Sequence, residues 1–148
     1  MDEIIVGQAV PADIPEIAVI ERSSFSDPWT EDLLMSELSR VMGIFLTAKD
    51  GDGNILGYMI GSEDGESAFI DNIAAAASAR RQGVGTALMK AFFDRLPRTV
   101  KHAALEVRAS NTAARELYSR FGFKVTGIRP NLYSSPRENG FVMTLDIK

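Results

Sequence analysis

Between residues 80 and 88 the chain reads Arg-Arg-Gln-Gly-Val-Gly-Thr-Ala-Leu, with a strand-like segment before it and a helical pattern after it. Few local sequences restrict a fold as strongly. Gly83 and Gly85 remove two Cβ atoms where the chain turns into a helix, so successive backbone N–H groups can point outward together and approach an anion closely. Val84, Ala87, Leu88, Ala91, Phe92 and Leu96 then recur on one face at helical spacing, and Pro97 marks the stop. A helix beginning at these glycines gathers its unpaired N–H groups and the positive end of its dipole at one point, where a pyrophosphate would be stabilised. Arg80 and Arg81 place cationic charge beside it.

Two common phosphate motifs are excluded by the residues themselves. A P-loop ends in Gly-Lys-Ser/Thr, whereas Gly85 is followed by Thr86 with no lysine. A dinucleotide fingerprint needs a third glycine, where this chain has Leu88, and a ribose-binding acid in register, which does not follow. What remains is Arg-x-x-Gly-x-Gly, which fits an anion cradle and equally a tight turn leading into a core helix. The downstream sequence has to separate the two.

Length and composition narrow the classes. The 148 residues suit one domain, 1–148, and 45% hydrophobic with 24% charged residues is the balance of an ordinary globular protein. No uncharged apolar run is long enough to span a bilayer. The opening Met-Asp-Glu-Ile-Ile-Val carries acids where a signal peptide would carry basic residues, so no membrane partner and a cytoplasmic address are expected. Cysteine is absent, which excludes disulfides and thiolate metal sites, and the single His102 makes a histidine metal site or a triad implausible, so no metal is expected. A net charge of −4 argues against a general nucleic-acid binder and mildly favours cationic partners.

Taken in order, Ile4 to Ala9 reads as a first strand, and Asp13 is predicted to cap a helix in which Ile14, Ile17, Ala18 and Glu21 share a face. Phe25-Ser26-Asp27-Pro28-Trp29 is a loop with two large aromatics, since Pro28 disfavours helix at Asp27. Thr30 opens a second short helix carrying Leu33, Leu34, Leu38 and Val41, with Glu31 and Asp32 in its first turn. Ile44–Ala48, Ile55–Ile60 and Ser67–Ile73 are strands joined by Gly-rich acidic turns, which predicts an antiparallel meander. Asp-Gly-Asp-Gly-Asn in the first turn lacks the spaced ligands and closing glutamate of a calcium loop. The alanine-rich run 74–79 favours helix locally yet sits between a strand and the cradle. Ala103–Val107 alternates as a strand, Asn111 is a good N-cap for a helix over Thr112–Phe121, and Gly122 ends it. Lys124–Tyr133 and Phe141–Ile147 form a closing strand pair.

Two residues carry a chemical reading. Glu106 is flanked by apolar residues in Leu-Glu-Val-Arg; if both faces of that strand are buried, desolvation strengthens its carboxylate as a general base, and otherwise it faces solvent. Tyr118 shares the inward face of its helix with Leu117 and Phe121. Core packing accounts for such a tyrosine, and a leaving group near its hydroxyl would make the phenol an acid.

Arg80-x-x-Gly83-x-Gly85, Leu105-Glu106-Val107-Arg108-x-Ser110-Asn111-x-Ala113-Ala114 and Leu117-Tyr118-x-x-x-Gly122-Phe123 together resemble the GNAT acetyltransferases. Phe25-Ser26-Asp27-Pro28-Trp29-Thr30-Glu31 upstream, with Arg129-Pro130-Asn131-Leu132-Tyr133 and Arg137-Glu138 downstream, are similar to the RimI-type branch, which acetylates the N-terminal alanine of a ribosomal protein. The resemblance covers nearly the whole chain in order. It implies a mixed α/β fold: a mostly antiparallel seven-stranded sheet with a splayed parallel strand pair and about four helices.

The resemblance further implies acetyl-CoA as co-substrate, with its pyrophosphate on the backbone of Arg80, Arg81, Gln82, Gly83, Val84 and Gly85. Asn72, Ile73 and Ala74 would hold the pantetheine arm and polarise the thioester carbonyl, and Asn111 would contact CoA from the next helix. Glu106 matches the family's general base and Tyr118 its general acid, in a direct transfer from sulfur to amine. Phe25, Trp29 and Tyr133 match the walls of a groove for a protein or peptide N-terminus, expected to be ribosomal. One departure is plain: Ala75, Ala77 and Ala79 stand where relatives carry a valine, a proline and an aromatic. A GNAT acting on lysine side chains or small amines is the alternative enzyme, and a CoA-binding module without catalysis the alternative of another class.

Overall fold

The computed structural model describes residues 3–147. Its elements, in chain order, are β1 (Ile5–Gln8), α1 (Ile14–Ser24), α2 (Glu31–Glu37), β2 (Gly43–Lys49), β3 (Ile55–Glu63), β4 (Ser67–Ala75), α3 (Val84–Asp94), β5 (His102–Arg108), α4 (Thr112–Arg120), β6 (Lys124–Tyr133) and β7 (Glu138–Asp146). Short 3-10 turns precede α1 at Pro11–Asp13 and follow β4 at Ala77–Ala79.

The seven strands form one sheet in the order β1-β2-β3-β4-β5-β7-β6. Short Gly-containing connections make β2, β3 and β4 antiparallel neighbours, and β1, joined to β2 through α1 and α2, pairs with it antiparallel as well. In the first of these turns Asp50 accepts from the Asp52 and Asn54 backbones, and Gly53 takes φ +86°. The long crossover through α3 lets β5 pair parallel to β4, while β7 returns antiparallel to both β5 and β6. The expected mixed sheet with one parallel pair and four helices is therefore present.

The helices cover both faces. Leu88, Met89 and Phe92 of α3 and Tyr118 of α4 pack with Leu46, Met59, Ala68, Leu105, Val107 and Met143 of the sheet. On the other face Ile14, Ile17, Ala18 and Leu34, from α1 and α2, meet Phe45, Tyr58 and Ile60. Alternate strand residues thus enter two different cores.

Several local expectations differ from what is found. Asp13 stands at the start of α1 without capping it; its carboxylate instead accepts from the Val10 N–H at 3.0 Å and pairs with Lys49 at 2.9 Å. Thr30 does cap α2, accepting from Leu33 N, but that helix ends at Glu37 and Val41 is 85% exposed. The alanine run forms no α-helix: β4 continues through Ala75, Ala76 N donates to Leu56 O of the neighbouring strand, and only Ala77–Ala79 make a 3-10 turn. Strand pairing has overridden propensity there. Strand β7 starts three residues early, because Glu138 pairs with Tyr133.

Candidate active site

The site begins where the sheet comes apart. Strands β4 and β5 pair over only four positions, Ser67↔His102 to Ile70↔Leu105. β4 nevertheless runs on to Ala75 and β5 to Arg108. A bulge sits at the parting point, since Ile60 opposes Asn72 while the next residue, Gly61, opposes Ile70. Past it, the β5-facing edge of Asn72, Ile73 and Ala74 has no strand partner, which leaves main-chain groups for a ligand.

The same strand leads through the Ala77–Ala79 turn into Arg80–Gly85. Arg81 and Gly83 take left-handed φ values of 64° and 85°, separated by Gln82, whose amide nitrogen donates to Ser78 O. Gly83 is the N-cap of α3 and no side chain caps that helix, so its first N–H groups face outward unpaired. A Cβ on Gly83 would meet nothing within 4 Å, which leaves the approach open, while its φ requires glycine. These features suit a pyrophosphate. At Gly85 a Cβ would lie 2.9 Å from Leu117 Cδ2, so its absence also lets α3 and α4 close together beside the cradle. Asn111 caps α4 through its side-chain oxygen on Ala114 N, so contact with a ligand falls to its amide nitrogen.

Glu106 takes the solvent-facing of its two readings. Strand β5 keeps a clean alternation, with Ala103, Leu105 and Val107 buried towards α3 and α4 and Glu106 on the opposite face. Its side chain is 41% exposed and its Oε2 lies 2.6 Å from Arg129 Nη1. Two buried faces do not occur at this position, so desolvation is not what would make this carboxylate a base. Tyr118 is 5% exposed, packed edge-on against Phe123. Its hydroxyl has no hydrogen-bond partner among the described residues, yet it is not one of the sealed unpaired polar atoms, which are Ser24 Oγ and Arg115 Nε. Desolvation, with a smaller contribution from Tyr133, raises its pKa and keeps the phenol protonated. Tyr133 is raised as well, first by burial and then by Glu106, and so stands within electrostatic reach of both candidates.

Phe25, Trp29 and Tyr133 are all half-buried, the first two in the α1–α2 loop and the third at the end of β6. The fold does bring these remote segments together: Ser134 Oγ donates to Asp27 Oδ2 at 3.1 Å. Two residues that hold the site were not singled out from the sequence. Glu21, 1% exposed, accepts from the Tyr58 hydroxyl, from Asn72 Nδ2 at 2.5 Å and from Trp29 N at 2.9 Å, tying the aromatic loop to the bulged end of β4. A glutamate on the apolar stripe of α1 was the available signal. The other is Arg108, whose carboxylate partner Glu138 is held below the usual glutamate range, first by the guanidinium and then by Ser110.

Among the described residues no cluster of His, Cys, Asp and Glu could hold a metal ion, and no helix is long and apolar enough to cross a membrane.

Residues 14–123 match the family model described as the acetyltransferase (GNAT) family. The chain is 35% identical over 139 residues to the [ribosomal protein bS18]-alanine N-acetyltransferase of Escherichia coli strain K12, spanning 91% of this chain and 92% of that protein. The crystal structure of the ribosomal-protein-S18-alanine N-acetyltransferase from Escherichia coli superposes with a TM-score of 0.88 at 30% identity, covering 99% of this chain and 95% of that one. Ard1 from Thermoplasma volcanium gives 0.88 at 28% identity, over 98% of each chain. By the family match and by these likenesses over nearly its whole length, the chain belongs to the GNAT acetyltransferases, enzymes that move an acetyl group from acetyl-CoA to an amine nitrogen.

Proposed function

We propose that this enzyme acetylates the α-amine of an N-terminal alanine, on a small-subunit ribosomal protein, with Glu106 as general base and Tyr118 as general acid. The observation that carries this is the placing of Glu106 on the sheet face shared with the Trp29 loop, beside the β4–β5 opening, while Tyr118 comes from the helix on the opposite face. Bound acetyl-CoA supplies an activated thioester. The unpaired α3 N-terminus and Arg80–Gly85 hold its pyrophosphate, and the free edge of Asn72–Ala74 orients the acyl carbonyl. Glu106 takes the amine proton, directly or through a water, on Oε1, because Oε2 is occupied by Arg129. The neutral amine attacks the thioester carbonyl carbon and forms the carbon–nitrogen bond; as the carbon–sulfur bond then breaks, Tyr118 donates its proton to the departing sulfur and regains one from solvent, to which Glu106 releases its own.

A modest base suits an α-amine. With a pKa of about 7.7–8.0 such an amine is roughly one-third neutral at pH 7.5, whereas a lysine near 10.4 is about 0.1% neutral. A ribosomal substrate also agrees with a cytoplasmic address and with the acidic surplus of the chain.

The test is a pair of peptides assayed by mass spectrometry. One starts with alanine followed by a basic residue; the other has a blocked N-terminus and a free internal lysine. Acetylation confined to the first is expected. Preferential modification of the lysine overturns the reading in favour of a side-chain acetyltransferase.

A further inference from the structure

We propose that Arg108 is a positioning residue that clamps the two walls of the acceptor groove together and so sets how firmly a substrate N-terminus is held. The inference rests on the groove assigned under the proposed function. Arg108 is the last residue of β5 and lies two positions beyond Glu106, on the same face of the strand. Its guanidinium reaches both walls. Nη1 donates to Pro136 O at 2.9 Å and to Glu138 Oε1 at 3.0 Å; Nη2 donates to Ser134 O at 2.7 Å and to Ser26 Oγ at 3.1 Å. Every Nη hydrogen is therefore used, and each bond goes to a different residue. Cζ also sits 4.6 Å from the centroid of the Tyr133 ring, and Asp27 Oδ2 lies 3.9 Å from Nη2.

An ordinary surface ion pair has one partner and a mobile side chain. Arg108 differs in each respect. Its side chain is 19% exposed, and Glu138 is itself fixed by Ser110, whose Oγ and N–H donate at 2.9 and 3.1 Å. Ser26, Asp27, Ser134 and Pro136 are exposed, so little packing holds these loop residues at a set separation. The planar fork does so instead, and it refers both loops to the strand that carries Glu106. Losing it should widen the groove without touching the α3 N-terminus or the free edge of β4, which lie on other elements.

Trp29 is the single tryptophan of the chain and belongs to one wall, so its fluorescence reports the clamp independently of turnover. In Arg108→Ala, acrylamide quenching of Trp29 should rise, and the peptide KM should rise by roughly ten-fold, while CoA affinity by calorimetry is unchanged. Arg108→Lys keeps the charge but not the fork and should fall between. Unchanged quenching, or equal loss of CoA affinity and peptide affinity, overturns the proposal. So does raised quenching with an unaltered peptide KM. Should wild-type enzyme acetylate no peptide N-terminus, the functional reading fails, and quenching alone still decides whether the clamp exists. If Arg108→Ala does not fold, the pair Arg108→Lys and Ser26→Ala decides by the same measurements.

Discussion

Tyr118→Phe isolates the proposed acid with unusual clarity. The substitution removes one oxygen from a side chain that is 5% exposed and leaves the edge-on contact with Phe123, at 6.0 Å between ring centres, in place. A buried hydroxyl normally contributes about 1 kcal/mol through its hydrogen bond. Here the hydroxyl has no partner among the described residues, so that contribution is missing and stability should stay within about 0.5 kcal/mol of wild type. For a chain of 148 residues this is a Tm change of about 2 °C or less. General acid catalysis contributes about 10²–10⁴ in rate, or roughly 2.7–5.5 kcal/mol of barrier. The two effects are therefore separated by several-fold in energy. Release of CoA can be followed with a chromogenic thiol reagent, and because the chain contains no cysteine the product thiol is the only one present. A kcat lowered at least 100-fold with an unchanged melting curve is expected. Burial raises Tyr118 above the ordinary value of 10.0, so the wild-type rate should show no alkaline loss from this group below that pH. Full kcat in the phenylalanine variant would return Tyr118 to a packing role, and a rate loss matched by a large fall in Tm would make its effect structural.

Glu106→Gln should lower kcat by roughly 100-fold with acetyl-CoA binding unchanged by calorimetry; full activity across the pH range would remove it from the mechanism. Gly83→Ala should cost about 1 kcal/mol in denaturant melts, because φ is +85° there. Gly85→Val should disturb Leu117 and lower Tm and CoA affinity together, whereas unchanged CoA affinity would remove Gly85 from the cradle. Glu21→Ala leaves Tyr58, Asn72 and the Trp29 N–H without their acceptor and should destabilise the protein by about 3–5 kcal/mol in urea titration, against a smaller effect for Glu21→Gln; a loss below about 1 kcal/mol would refute that account.

Much of this was legible in the residues because it depends on local chemistry. The turn at Gly83, the Asn111 cap and the periodicity of α3 each act within a few positions, and all three stand as read. What could not be read from the residues has a cause of the opposite kind. Asp13 could cap a helix, but Lys49 from a distant strand offers a better partner. Gly85 reads as a cradle glycine in sequence, and only the approach of α4 shows that its missing Cβ also leaves room for Leu117. The apolar neighbours of Glu106 left it open whether its face is covered, because on a strand neighbours face the other way and what covers a face is decided by another element. Glu21 and Arg108 could not be assigned because their partners lie up to 51 and 82 positions away.

The short parallel seam between β4 and β5 has a mechanical consequence. Four residue pairs are the only sheet pairing, among the described residues, that joins the leaf β1–β4 to the leaf β5–β7. The molecule is built like a book with a short spine, open along most of its length. Whatever occupies the opening touches both leaves and becomes part of the binding. Its association free energy adds to the resistance of the whole to unfolding, about 2.7 kcal/mol at a hundred times the dissociation constant. With acetyl-CoA as the proposed occupant, resistance to unfolding rises with the supply of the enzyme's own donor.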